Sequence, residues 1–170
     1  NPFYQIYEGA ALLGGATPYF LNTLPEDNYA LNFGEIEEAV WQRTQLIYVC
    51  SPGNPNGHVM PLSEWKTLFE MSDRYGFVIA ADECYSEIYW KDAPPGMLEQ
   101  AGSDFANVAV FHSLSKRSNL PGLRSGFVAG DGAVLEQYFQ YRTYQGCALP
   151  PPTQAASIRA WGDEAHVRAN

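Results

Sequence analysis

The chain has 170 residues, within the range of one folded domain and long enough to bury a sizeable core. Apolar residues at 46% and charged residues at 17% exclude an intrinsically disordered chain. A formal net charge of −9 argues against nucleic acid as a partner, since no basic stripe is there to neutralise phosphates.

In chain order, apolar and aromatic residues at helical spacing predict a helix over 4–13, stopped by Gly14-Gly15. A short strand is predicted over 17–21, an amphipathic helix over 33–41 and an apolar strand over 45–50. A helix over 63–75 takes Ser63 as its N-cap, with Lys66 where a capping box prefers Glu. Strands follow over 77–81, 108–111 and 126–129, then helices over about 133–144 and from Pro152 onward. Short apolar strands separated by helices or long connections predict an α/β fold, a mainly parallel sheet covered by helices on both faces. Ligands gather outside the carboxyl ends of the strands in such sheets.

The chain opens on Asn1 without an initiator methionine and stops at Asn170 inside a helical pattern, so a piece of a longer polypeptide is expected. No apolar run approaches a membrane span and no signal peptide opens the chain, so neither a membrane nor export is expected. Cys50, Cys84 and Cys147 are odd in number and form no C-x-x-C pair. They read as reduced thiols of a cytoplasmic protein.

Three predicted strand ends carry polar motifs. Ser51-Pro52-Gly53-Asn54-Pro55-Asn56-Gly57 follows the first, Asp82-Glu83-Cys84-Tyr85 the second, and Ser113-Leu114-Ser115-Lys116 the third, with Arg124 eight positions on. Each has an ordinary explanation alone: a turn sequence, a solvated strand end, a surface Lys-Arg loop. Their convergence at one sheet edge favours function. A lysine forms an imine with an aldehyde, and hydroxyls with a guanidinium hold a phosphate ester, which together describe pyridoxal phosphate chemistry. On this reading Asp82 faces the ring nitrogen and keeps it protonated. Asn54 and the Tyr85 hydroxyl donate to the ring oxygen, Ser113 and Arg124 bind the phosphate with Ser115 as helper, and Lys116 serves as general base. Glu83 is expected to point away from Asp82 because neighbours in a strand alternate. His112, directly before the lysine loop, reads as strand-end packing, with pocket lining as the alternative, and His58, His112 and His166 share no metal-binding spacing.

These motifs, in this order and spacing, resemble the class I/II aminotransferases, the fold-type I pyridoxal-phosphate enzymes. Ser-Pro-Gly-Asn-Pro-Asn-Gly is similar to their Asn-Pro-[Thr/Asn]-Gly segment, Asp82-Glu83-Cys84-Tyr85 to their Asp-x-x-Tyr, and Ser113 to Lys116 with Arg124 to their cofactor-lysine signature. The opening Asn1-Pro2-Phe3-Tyr4-Gln5-Ile6-Tyr7 resembles the segment whose aromatic residue stacks on the cofactor ring, which would be Tyr4. Within the family, the stretches 116–124 and 141–147 are most similar to the N-succinyldiaminopimelate aminotransferases of lysine and diaminopimelate biosynthesis. The resemblance implies that residues 1–170 are the central part of a cofactor-binding large domain. It implies amino-acid and keto-acid substrates, with glutamate as amino donor, and a homodimer. A second phosphate loop and a substrate-carboxylate arginine would lie outside the chain, leaving it inactive by itself. A carbon–sulfur lyase, a decarboxylase or a cofactor-binding regulator shares the same motifs and stays open.

Overall fold

The computed structural model describes residues 1–146 and 148–170, so Cys147 lies outside the described residues. Four strands form one sheet in the order β1 (Leu46–Cys50), β2 (Val78–Asp82), β3 (Val108–Ser113) and β4 (Gly126–Gly130). The first three are parallel, with Cys50 opposite Asp82 and Asp82 opposite Phe111. β4 runs antiparallel, with Ser113 opposite Gly126. This is the mainly parallel sheet predicted above; β1 and β2 end in step at Cys50 and Asp82, and β3 runs two residues further, to Ser113, at the same edge. The segments after β1, β2 and β3 therefore begin side by side.

Alternation along the strands sends Val49, Ile79, Ala81, Val108 and Val110 to one face. There they share a core with Trp65 and Leu68 of α3 (Leu62–Tyr75), one helical turn apart on its inner side. Leu68 is fully buried in this cluster. Leu68→Ala should lower unfolding stability by about 2–5 kcal/mol in a denaturant titration, through lost transfer energy and a residual cavity. The opposite face carries Tyr48, Asp82 and Phe111. α1 (Ile6–Leu13) covers one part, its Tyr7 ring stacked on Tyr48 at 5.1 Å. α5 (Gly132–Arg142) covers another, with Tyr138 edge-on to Phe111 at 6.1 Å. Both faces thus carry helices.

Asp131 ends the loop after β4 and caps α5, its carboxylate accepting from the N–H groups of Ala133 and Val134 and from Asn107 N–H. These hydrogen bonds hold its pKa below the usual 3.8. A depressed folded-state pKa contributes stability above the unfolded value and loses it as pH falls through the folded one. Asp131→Ala should therefore lower the melting temperature at neutral pH, and melts repeated below pH 3.8 should show that difference closing.

Three predicted elements differ. Residues 17–21 form no strand: Pro18 lacks an N–H, and among the described residues no strand pairs with them. The segment instead lies along the chain start, where Thr23 N–H donates to Asn1 O at 2.9 Å. The predicted helix over 33–41 breaks into a 3₁₀ turn, Phe33–Glu35, and a short α2, Glu38–Trp41. Gly34 and the like charges of Glu35, Glu37 and Glu38 disfavour continuity, while Phe33 and Trp41 each anchor separately in the core. The N-cap of α3 is Pro61, two residues before the predicted Ser63, because the Pro61 carbonyl accepts from Glu64 and Trp65 N–H and leaves Ser63 inside the first turn. After α5 come α6 (Pro151–Trp161) and α7 (Glu164–Ala169).

Candidate active site

β2 delivers Asp82, half-buried, to the carboxyl edge of the sheet. Its Oδ2 accepts the Tyr7 hydroxyl at 2.7 Å and its Oδ1 accepts Cys84 N–H at 3.1 Å. Both oxygens are held, so the carboxylate plane is fixed. Glu83 turns to the other face, as alternation requires, and accepts Met97 N–H at 2.6 Å. His112 Nε2 lies 3.4 Å from Glu83 Oε2, and its ring stacks on Phe127. Burial pushes the Glu83 carboxyl up and the His112 imidazole down, so both are driven toward their neutral forms. His112 packs at the strand end against Glu83 and Phe127.

β3 runs directly into α4 (Leu114–Arg117), which carries Lys116. Ser113 caps that turn: its Oγ accepts Ser115 N–H at 3.0 Å and lies 2.8 Å from Ser115 Oγ. Lys116 Nζ sits 5.7 Å from the centroid of the Tyr85 ring, a cation–π contact. Asn54 Nδ2 reaches the Tyr85 hydroxyl at 3.5 Å. One row of polar groups thus crosses the ends of three strands. Asn54 itself is carried by a tied loop, where Gly53 N–H donates to His58 O at 2.8 Å and Ser51 Oγ accepts Met60 N–H at 3.1 Å.

Arg124 has a left-handed backbone, φ 52°, and its guanidinium donates to Pro121 O at 2.8 Å. Leu114 N–H bonds Ser125 O at 3.1 Å, so Arg124 flanks the Ser113–Ser115 turn through its neighbour, while its own side chain is exposed. Tyr4 is also exposed and meets Tyr7 edge-on at 5.9 Å, on the Asp82 side of the sheet.

The groups around Asp82 are donors. Burial first, then the Asp82 hydrogen bond, raises the Tyr7 hydroxyl far above its ordinary range. Burial and the Asp82 charge likewise raise the Cys84 and Cys50 thiols, both free and half-buried. Burial also raises the Tyr85 hydroxyl. Each keeps its proton at neutral pH, so Asp82 is a single acceptor ringed by neutral groups. A cleft of about 740 Å³ opens beside it along α1 and β1, with Tyr7, Tyr48, Cys50 and Asn54 in its wall.

Tyr7 is the participant that sequence reasoning missed. Three positions from Tyr4, it fits an ordinary amphipathic helix, and only the fold brings it to a carboxylate 75 residues away.

The chain belongs to a family of pyridoxal-phosphate-dependent enzymes. Its family is the one described as aminotransferase class I and II, which matches residues 1–170. Among solved structures, an aminotransferase from Neisseria meningitidis is 53% identical with a TM-score of 0.93, covering 99% of this chain and 44% of that one. Aminotransferase AspB from Helicobacter pylori is 41% identical with a TM-score of 0.92, covering 99% and 45%. An LL-diaminopimelate aminotransferase from Aquifex aeolicus is 35% identical over 79% of this chain and 35% of its own length. The chain spans less than half the length of these relatives.

Proposed function

We propose that the chain is the central part of the cofactor-binding large domain of a longer, cytoplasmic, homodimeric pyridoxal-phosphate-dependent transaminase. The observation that carries this reading is the row Asn54–Tyr85–Lys116 beside Asp82, on the ends of three neighbouring strands. Its donor set fits the cofactor: one oriented carboxylate for a ring nitrogen, neutral donors for a ring oxygen, a primary amine, and paired hydroxyls near an arginine for a phosphate.

Pyridoxal phosphate, when bound, supplies the electron sink that stabilises negative charge at the substrate's α carbon. Asp82, its plane fixed by Tyr7 and Cys84 N–H, holds the proton on the ring nitrogen through its opposite charge. Asn54 and Tyr85 would donate to the ring oxygen, and Tyr4 would stack on the ring. Ser113 and Arg124, with Ser115 as helper, would hold the phosphate. Lys116 Nζ would hold the cofactor and, once the substrate's amine has displaced it, the freed amine would take a proton from the substrate's α carbon.

The amino donor is glutamate and the acceptor a diaminopimelate-type keto acid, N-succinyl-2-amino-6-ketopimelate. Similarity to LL-diaminopimelate aminotransferases supports the general class, and the resemblance of stretches 116–124 and 141–147 supports the succinylated form. The chain alone is inactive. The test is to reduce the full-length protein, loaded with pyridoxal phosphate, with borohydride and map the label by mass spectrometry. Glutamate turnover is then assayed with the succinylated keto acid and its unsuccinylated counterpart. Label on Lys116 with preference for the succinylated acid is expected. Absence of label there overturns the cofactor site, and preference for the unsuccinylated acid overturns the substrate.

A further inference from the structure

A four-residue helix has no stability of its own, so the direction of α4 is set by whatever its residues are tied to. Apart from Glu87, the side-chain ties of residues 117–119 gather at one corner of the fold: the end of α6, Glu164 and His166 of α7, and Asn170. Arg117 is 7% exposed. It donates to Ala160 O at 3.0 Å, binds the Glu164 carboxylate, lies 3.8 Å from Glu87 and packs over the Trp161 ring at 5.2 Å. Ser118 Oγ lies 2.8 Å from His166 Nε2, and Asn119 bonds the Asn170 side chain. Asn170 Nδ2 also donates to the backbone carbonyls of Lys116 at 3.2 Å and Arg117 at 3.4 Å. Each side chain from 117 to 119 is thus held on the corner, while that of Lys116 leaves toward Tyr85.

We propose that Arg117 and Asn170 are positioning residues for the reaction, aiming the Lys116 amine from behind by locking α4 to the Ala160–Asn170 corner. This rests on Lys116 being the cofactor lysine. A buried arginine is an expensive way to join two helices, since an apolar side chain of similar volume packs as well without desolvating a charge. What the guanidinium adds is a rigid planar fork, which fixes orientation as well as distance. Asn170 acts on the carbonyl of Lys116 itself. Orientation matters here because a displacement of about 1 Å at a reacting group costs on the order of a hundredfold in rate.

The experiment uses the full-length enzyme and the variants Arg117→Lys, Arg117→Met and Asn170→Ala, each first checked for a cooperative melt. The first readout is the rate at which the apoprotein attaches added pyridoxal phosphate, followed by visible absorbance, with the borohydride-fixed label mapped. The second is kcat against KM for glutamate. Folded variants should still carry the label on Lys116. Attachment and kcat should each be slower by about tenfold, with KM within about twofold of wild type and Arg117→Lys milder than Arg117→Met. Wild-type attachment and kcat in both Asn170→Ala and Arg117→Lys would overturn the proposal, and they decide it even if Arg117→Met fails to fold. An unlabelled Lys116 in the wild-type protein is a different failure: the lysine reading is then wrong, and the positioning role falls with it.

Discussion

Lys116→Ala in the full-length enzyme should eliminate both the covalent borohydride label and measurable amino transfer. On the proposed reading the lysine has two tasks, and alanine removes both. Loss of a positioned general base alone costs about 10²–10⁴-fold; loss of the covalent hold on the cofactor adds to this. The fold should tolerate the change, because the Lys116 side chain contributes one cation–π contact with Tyr85 and is absent from the core. Circular dichroism and melting should therefore match wild type while turnover disappears. Transfer at the wild-type rate in this variant would remove Lys116 from the chemistry.

Asp82→Asn should give the second-largest loss. An opposite charge within hydrogen-bond range shifts a pKa by about 1–3 units, so an amide that cannot supply it should cost about ten- to a thousandfold in kcat. The geometry sharpens this expectation. Tyr7 O–H and Cys84 N–H both donate to Asp82, and an asparagine that keeps its oxygen toward one must turn its NH₂ toward the other. Tyr7→Phe keeps the stacking on Tyr48 but removes one donor. It should lower kcat by less than Asp82→Asn does, with the cofactor still covalently bound. Equal losses in the two variants would mean that the phenol, not the carboxylate charge, carries the effect.

Much of this arrangement was legible because its polar residues sit at strand ends, where they interrupt apolar runs. Asp82 after Val78–Ala81 and Ser113 to Lys116 after Val108–Phe111 stand out for that reason. The parallel register that aligns them follows from short strands separated by long connections. Tyr7 and Arg117 were not legible. Both sit in sequence patterns with ordinary local explanations, and their partners lie 75 and 43–47 residues away. The 33–41 helix failed for a related reason. Its apolar spacing was genuine, but Phe33 and Trp41 each satisfy the core from separate turns, so tertiary burial overrode the local period.

The placement of β1 at the border of the sheet has a practical consequence. Among the described residues its outer N–H and C=O groups face no ladder, and Leu-Ile-Tyr-Val-Cys contains neither a proline nor a charge to blunt it. Leu46 and Tyr48 are 44% and 40% exposed beside that open seam. Two such chains produced in isolation have a ready way to zip together, border against border. For the isolated 170-residue chain, concentration more than temperature should then govern how long a solution stays clear.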